Sequence, residues 1–489
     1  MTSLTHRAIH ATWWSALEIA GRYGIQFVVA IALARRLDPA DFGLMAMLLV
    51  FVTLAALLVE GGFGSALVQK QNPTRDDETT VFLTCLGISG LLTVTLWFTA
   101  PAIASFYSRS QLVGLMHLLV LVLPLGAMSA VPNALLSLRL DFRTRAGAEL
   151  AASLISGSAA LWLAWRGFGA WSLVWQAVIG AGMRTMMLWT LSRWHPSGRF
   201  DPSAFRRLFR FGGFLLLANA LNTVSVRLQS LLIGRMFDAR ALGFYTMAQE
   251  TQQAPAQFMS SLLNRVGLPV FSTIADQPDK LRGGLRLSLR VAMFVFVPGM
   301  AGIAVCAHPL VTTLYGDRWA PAAPLLSVLA LASMFWPMHV LNLAALGARG
   351  RSDLVFRLEV VKCAISVPLV VAASFYSVQA VAWAVLLSNI ACLVANTHYS
   401  RNLLGYGVLA QLADQKATFL LALLSSASAL LAMQLPGNPV SALAAAIAAG
   451  IATFVTFAFV ANVAAWRELV VLLRALKAGR QIDVTGHST

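Results

Sequence analysis

Residues Ala34 to Leu44 read Ala-Arg-Arg-Leu-Asp-Pro-Ala-Asp-Phe-Gly-Leu, and 200 positions later Gly234 to Phe244 read Gly-Arg-Met-Phe-Asp-Ala-Arg-Ala-Leu-Gly-Phe. Arg35, Asp38 and Gly43 recur as Arg235, Asp238 and Gly243. Each copy lies where one long apolar stretch ends and the next begins, so the echo is between two hairpins of membrane-length segments. Six apolar stretches separate the copies, and an even number returns the chain to the same side of a bilayer. The two halves are therefore parallel repeats, a plan found among membrane transporters.

Composition supports a bilayer setting. The chain is 58% hydrophobic and 11% charged, with a mean hydropathy of +0.73, and has too few polar groups to cover its apolar surface in water. Cys85, Cys306, Cys363 and Cys392 all lie inside apolar stretches without CxxC spacing, so neither a disulfide framework nor a zinc site is indicated. Met1 to His10 carries one Arg, and the next segment holds Glu18, Arg22 and Gln26 where a cleavable signal needs an apolar centre. The first span is thus expected to remain in the mature protein.

Windows of about 20 residues place fourteen spans. Six fall at 12–34, 43–68, 80–103, 112–135, 147–165 and 169–191, and six at 213–234, 243–264, 288–307, 322–346, 359–375 and 379–399. Two more follow at 417–434 and 440–465. The expected fold is an all-α polytopic membrane protein of two six-helix repeats plus an appended helix pair. Its parts are a first lobe at 1–200, a second at 201–412, the pair at 413–466 and a tail at 467–489. At an offset of 210, Arg139 and Glu149 match Arg349 and Glu359, and Ala170 matches Ala380, which extends the duplication beyond the hairpins. The appended pair has no counterpart and, with hardly a polar atom between Phe419 and Leu435, is expected to face lipid.

Basic residues fix the orientation. With a cytoplasmic N-terminus, 26 of the 36 Lys and Arg fall inside, 7 fall outside, and Arg22, Arg184 and Arg227 lie within spans. That asymmetry follows the positive-inside rule and places both termini in the cytoplasm. The net charge of +16 is then a topology signal and an attraction to anionic inner-leaflet lipid, and no nucleic-acid partner is expected. The 243–264 span carries Gln249, Glu250, Gln252, Gln253 and Gln257, which suits a cavity wall. Removing it would invert every later loop.

At this point the chain resembles a known family. Arg-Arg-Leu-Asp-Pro-Ala-Asp-Phe-Gly in the first hairpin, Glu60-Gly61-Gly62-Phe63-Gly64, Gly167-Phe168-Gly169-Ala170-Trp171 and Leu314-Tyr315-Gly316-Asp317-Arg318-Trp319 look like Wzx-type polysaccharide flippases. These are related to MATE exporters and the lipid II flippase MurJ, and the likeness runs over roughly residues 10 to 410. It implies two six-helix bundles around a cation-lined cavity. It also implies transport of an undecaprenyl-diphosphate-linked oligosaccharide across the bacterial inner membrane.

A cation inside a bilayer costs several kcal/mol unless it faces water, a partner or the bundle interior, so Arg22, Arg184 and Arg227 are the first substrate-binding candidates. Guanidinium groups bind phosphate oxygens bidentately, which suits a diphosphate head group, although helix-to-helix salt bridges are the structural alternative. Arg184 can instead snorkel to the interface. Gln26, Asn219 and Asn222 are candidates for sugar hydroxyls, with Asn342, Asn389 and Gln229 as further amides; bonding between helices serves equally well. Glu18 and Glu250 lie deep enough to bind Na+ or protons, and Glu60 is a third possible cavity acid. Glu60, Glu149 and Glu359 lie near cytoplasmic ends, where pairing with arginines is an ordinary role. Transport coupled to a Na+ or H+ gradient or to the membrane potential is expected, with no cofactor or bound metal.

No GxxxxGK[ST] loop, GxSxG elbow or HExxH helix occurs, so neither an ATP-driven pump nor a membrane hydrolase is supported, and no enzymatic activity is expected. Trp13, Trp14, Trp97, Trp162, Trp165, Trp171, Trp194 and Trp319 fall near span ends as an aromatic belt. A MATE-like drug or metabolite exporter is the main alternative, and a glycosyltransferase or polymerase would need a larger outer loop than this chain has. The expected partners are the lipid-linked oligosaccharide, the membrane, and a polysaccharide polymerase or other synthesis proteins.

Overall fold

The computed structural model describes residues 21, 24–70, 72–139, 141–436 and 438–477. Regular structure among the described residues is helical, with no strand. Among the described residues, nine helical stretches are long and apolar enough to cross a membrane: Pro39–Glu60, Arg75–Phe106, Gln111–Leu138, Arg143–Trp165, Pro278–Val305, Asp317–Ala348, Val378–Leu404, Val408–Ala432 and Pro439–Val460. The expected spans at 169–191, 213–234, 243–264 and 359–375 are helices of 23 to 35 residues that fall short of that apolarity. Of the first expected span, Gly24–Ala34 (α1) is a short apolar helix, and most of the remainder lies outside the described residues.

The chain forms two compact units, Met1–Thr246 and Met247–Thr489. The boundary expected at 200/201 follows the repeat, whereas the packing boundary falls one hairpin later. In the first unit α1 is followed by α2 (Pro39–Glu60), α3 (Phe63–Gln69), α4 (Arg75–Phe106), α5 (Gln111–Leu119), α6 (Val122–Leu138), α7 (Phe142–Trp165), α8 (Ala170–Ser192), α9 (Pro202–Met236) and the start of α10 (Ala239–Thr273). Sequence fixes several of the starts. Asp38 caps α2 by accepting from the Ala40 N–H, Asp41 reaches back to the Asp38 N–H, and Pro39 occupies the first turn, where no N–H is needed. Thr74 and Asp77 form the same reciprocal box on α4. Gly61 at φ 51° and Gly62 at φ 72° supply the left-handed turn between α2 and α3, the physical reason for the paired glycines of Glu60-Gly61-Gly62-Phe63-Gly64.

Lipid tails are as apolar as leucine, so helices here are held by close packing more than by exclusion of water. The first unit's core joins Phe63, Leu67, Val81, Phe82, Val131 and Leu135. Gly157 of α7 lies against Val29 of α1, and Gly180 of α8 against Ser156 of α7, close enough that a side chain would intrude. Trp194 and Trp319, expected in an interfacial belt, are instead 4% and 0% exposed. Their large rings fill core space, and the Trp194 indole donates to Glu78 at 2.7 Å.

The second unit contains the rest of α10, then α11 (Pro278–Val305), α12 (Ala307–Tyr315), a 3-10 turn (Asp317–Ala322), α13 (Ala323–Ser333), α14 (Trp336–Ala348), α15 (Ser352–Ser374), α16 (Val378–Leu404), α17 (Val408–Ala432), α18 (Pro439–Val460) and α19 (Ala464–Lys477). Its core centres on α11, whose Leu285, Leu289 and Met293 meet Met338 and Leu341 of α14 and Ala422 of α17. Two boundaries differ from expectation. The span expected at 417–434 begins at Val408, because Gln411, Gln415 and Thr418 share the buried face of its helix. The tail expected from 467 starts as helix α19, anchored on α11 where Arg290 pairs with Glu468 at 2.9 Å and Trp466 packs near Phe294.

Two expected continuous spans, 112–135 and 322–346, are each broken. α5 and α6 part at Val120–Leu121, and α13 and α14 part at Met334–Phe335. A proline follows within the first turn of each second piece, Pro124 and Pro337. Lacking an N–H, each proline leaves the carbonyl four residues earlier without its helical donor. The repeats thus share a discontinuous fourth span.

Candidate functional site

Within the second unit, α14 and α16 face each other with polar side chains at helical spacing. Asn389, Asn396 and Ser400 of α16 recur at i, i+7 and i+11 and so share one stripe. Asn389 donates to the carbonyl of Ala332 at 3.2 Å, beside the α13–α14 break. One turn further along α14, Asn396 donates to His339 Nδ1 at 3.1 Å and to its carbonyl at 3.3 Å. Next, Asn342 accepts from Ser400 at 2.6 Å and exchanges two bonds of 2.9 Å with Gln411 of α17, which also donates to the Tyr406 carbonyl. On the other side of the break Ser333 donates to Gln252 of α10 at 2.5 Å, and Thr251 bonds Tyr315 at 2.8 Å.

At the α16–α17 end Asp414 accepts a fork of two 2.6 Å bonds from Arg286, a 3.1 Å contact from Arg290 and a 2.7 Å bond from Tyr406. Burial pushes the Tyr406 hydroxyl above its ordinary range, so it serves Asp414 as a neutral donor. Burial likewise pushes Tyr315 up to about 12. On α15, Lys362 pairs with Glu359 one turn away at 2.9 Å. This column of amides, hydroxyls and ions carries hydrogen bonds where lipid and apolar side chains supply none.

The first unit contains the duplicated hairpins, and there the sequence echo is a physical contact. A Cβ on Gly43 would sit 1.7 Å from the Ala239 carbonyl oxygen, and one on Gly243 would sit 1.9 Å from that of Pro39. Ala239 and Pro39 are the first helical residues after Asp238 and Asp38, so each repeat's glycine receives the other repeat's helix start. Arg240 closes the contact on Asp38 at 2.8 Å. Nearby, the Asp41 carboxylate accepts the Ala170 N–H, and Gly169 sits at φ 54°, which accounts for the Gly-Phe-Gly-Ala-Trp motif. In the Leu-Tyr-Gly-Asp-Arg-Trp motif of the second unit, Gly316 turns at φ 96° between the buried rings of Tyr315 and Trp319.

Of the expected site residues, Arg22 and Glu18 lie outside the described residues. Gln26 of α1 and Asn219 and Asn222 of α9 are exposed. Asn219 and Asn222 share a face, while Arg227, turned about 80° from Asn219 and about 140° from Asn222, is half-buried and engaged in an interaction of its own. Arg184 of α8 pairs with Glu149 of α7 at 3.5 Å, which makes it a link between helices. Glu60 is exposed at the end of α2, its charge acting on Cys85 of α4. Glu250 is exposed on α10, and its charge reaches Tyr315. Asn342 and Asn389 serve bonds between helices, and Gln229 accepts from Tyr245 at 2.6 Å. Sequence reasoning missed His339, Asn396, Ser400 and Gln411; the seven- and eleven-residue recurrence after Asn389 was the available signal.

The chain matches the family model described as polysaccharide biosynthesis protein over residues 32–324, more than half its length. It is 25% identical to the teichuronic acid biosynthesis protein TuaB of Bacillus subtilis over 73% of this chain and 74% of that one. It is also 25% identical to the lipopolysaccharide biosynthesis protein WzxC of Escherichia coli, over 76% and 75%. The backbone is similar to that of the lipid II flippase MurJ in an inward closed conformation, with a TM-score of 0.75 over 95% of this chain and 100% of that one at 14% identity. A weaker likeness, with a TM-score of 0.57 over 78% and 94% at 15% identity, links it to an inward-facing MATE family multidrug transporter. The discontinuous helices and buried polar column are thus features of a multi-pass membrane protein with a MurJ- and MATE-like fold, and the chain belongs to the polysaccharide biosynthesis protein family.

Proposed function

We propose that this membrane protein is a flippase that moves undecaprenyl-diphosphate-linked oligosaccharide repeat units across the bacterial inner membrane for exopolysaccharide, capsule or lipopolysaccharide synthesis. The observation that carries the reading is a polysaccharide biosynthesis chain built on the backbone of a lipid II flippase. The fold of a drug exporter is shared less closely. The lipid tail stays in the bilayer while the charged head and sugars cross, and no bond is made or broken. Both termini lie in the cytoplasm, in keeping with the 26 to 7 division of basic residues. Arg22 and Arg227 hold the diphosphate, Gln26, Asn219 and Asn222 meet the sugars, and Glu18, Glu250 and Glu60 are the acids available for coupling to an ion gradient. Arg184 contributes through its pairing with Glu149. A polysaccharide polymerase receives the exported unit.

The test is cell-surface polymer in a strain lacking the gene, measured with lipid-linked repeat units and membrane protein level. Arg22→Glu and Arg227→Glu should each abolish export, while lysine at either position keeps part of it by retaining charge without the bidentate fork. Normal polymer from a well-expressed Arg22→Glu, Arg227→Glu double variant would sink the phosphate-binding role.

A further inference from the structure

We propose that the first unit carries, at the end formed by the α1–α2 and α7–α8 turns, a binding site for the headgroup of an anionic phospholipid, built by Arg36 and Arg166 on the rings of Trp165 and Trp162. The site takes from the transport reading only its leaflet, which is the outer one when both termini are cytoplasmic. It begins at the last turn of α7, which is long and apolar enough to cross a membrane, so Trp162 and Trp165 stand at headgroup depth. The two rings are three residues apart on one helix and are therefore neighbours. They are 55% and 70% exposed, with Phe168 beyond them at 50%. Gly157 of α7, packed against Val29, brings the end of α1 alongside this helix. The α1–α2 turn thus delivers Arg36, whose guanidinium lies over the Trp165 ring, 5.8 Å from its centroid. Arg166, which caps the C-terminus of α7, lies over Trp162 at 5.1 Å.

A guanidinium held over an aromatic ring uses its flat face. Its N–H donors lie in the plane of the group and point outward from the edge, so the fork that matches phosphate oxygens stays available. Among the described residues, neither Arg36 nor Arg166 has a side-chain hydrogen bond or an ion pair to an acid. The acids nearby are engaged elsewhere: Asp38 holds Arg240 at 2.8 Å, and Asp41 accepts the N–H groups of Asp38 and Ala170. With Arg35 on the same turn, four arginines face two aspartates, and this end of the unit keeps an excess of two positive charges.

That excess runs against the orientation bias. Basic residues are disfavoured on the outer side of a membrane, and only 7 of the 36 fall there, yet Arg35, Arg36 and Arg166 gather at this one end. An anion offsets the repulsion among them. The anion is a lipid headgroup because the two cations sit on rings exposed at the end of an apolar span, where phosphodiester groups are concentrated. Bridging Arg36 and Arg166, the headgroup ties the α1–α2 turn to the α7–α8 turn.

The test is native mass spectrometry of the full-length protein titrated with phosphatidylglycerol and with phosphatidylcholine of the same chain length. Wild-type protein should bind the first phosphatidylglycerol at least about five-fold more tightly than phosphatidylcholine. The Arg36→Gln, Arg166→Gln double variant should bring that preference below about two-fold, with each single variant intermediate. Lysine at both positions should keep part of it, because charge remains without the fork. Trp162→Leu with Trp165→Leu should lower it by about two-fold or more while every charge stays in place. Arg109→Gln, at the α4–α5 turn, should leave it unchanged. In nanodiscs containing both lipids, Phe168→benzoylphenylalanine should cross-link phosphatidylglycerol on illumination, and the glutamine pair should abolish that product; the single variants carry the test if the double one fails to insert. An undiminished preference in the glutamine variants overturns the site. An equal loss from Arg109→Gln would show a response to net charge alone, and displacement of the lipid by millimolar inorganic phosphate would show a site for free anions; either result overturns it too.

Discussion

In the first repeat α8 bonds the helix piece that follows the α5–α6 break: Thr185 donates to the Leu125 carbonyl at 2.7 Å, and the Trp189 indole donates at 2.8 Å to that of Met128, which Pro132 leaves without a helical donor. Around those bonds lie Leu123, Ala127, Val131 and Leu135, all buried and apolar. In the second repeat the gap between α13 and α14 is closed by Asn389 of α16, and beyond it run His339, Asn396, Asn342, Ser400 and Gln411. The backbone interruption is common to both and proline-driven, so it belongs to the duplicated architecture. The bonded amide column belongs to the second copy; in the first, α6 carries Ser129, Asn133 and Ser137, with Ser137 accepting from Arg145 at 3.2 Å. Bonded amides in a membrane protein contribute little net stability, averaging about 0.6 kcal/mol in measured cases. A column of them is therefore weakly accounted for by stability alone.

The largest expected effect tests where the repeats are alike. Gly43→Val and Gly243→Val each place a side chain under 2 Å from a carbonyl of the other hairpin, and each should cost about 3 kcal/mol or more. Thermal unfolding of detergent-purified protein measures this. A large loss from only one of the two would show that the contact is not reciprocal.

Next comes the polar column. Asn342→Leu removes the partner of Ser400 and both bonds to Gln411, all buried, and should destabilise the protein by about 2–3 kcal/mol. An unchanged melting temperature would mean that the column is hydrated and self-sufficient. The smallest effect is expected from Thr185→Val in the first repeat, which deletes one bond to a carbonyl and should cost about 0.5–1 kcal/mol. If it cost as much as Asn342→Leu, the two breaks would be energetically equivalent and the contrast between repeats would fail.

Much of this architecture was legible in the residues. Membrane-length apolar windows, the recurring Arg-x-x-Asp hairpin and the Asp, Thr and Pro helix starts are local signals, and the helices obey them. The reciprocity of Gly43 and Gly243 was not legible, because recurrence shows that two segments are alike without showing that they touch. Pro124 and Pro337 were readable as points where spans bend or are interrupted, but averaged hydropathy, which a proline in an apolar run barely changes, still carried one continuous span across each of the breaks at Val120–Leu121 and Met334–Phe335. The same averaging placed the start of α17 nine residues late, treating Gln411, Asp414 and Gln415 as loop when they form a packed helical face. Among site residues, intramembrane arginines were easy to find because charge is rare there. His339 and Asn396 were not, since their meaning lies in a pairing across helices 57 positions apart in sequence.

The hairpin contact has the form of a two-fold interface in which residue i of one copy meets residue j of the other and j meets i. Homodimers make such contacts, because a patch that binds itself needs no second surface. Gly43 against Ala239 and Gly243 against Pro39 are the same handshake made twice within one chain. Arg240 breaks the symmetry of that handshake: its counterpart is Ala40, so the ion pair to Asp38 has no equivalent from the first hairpin's residue 40.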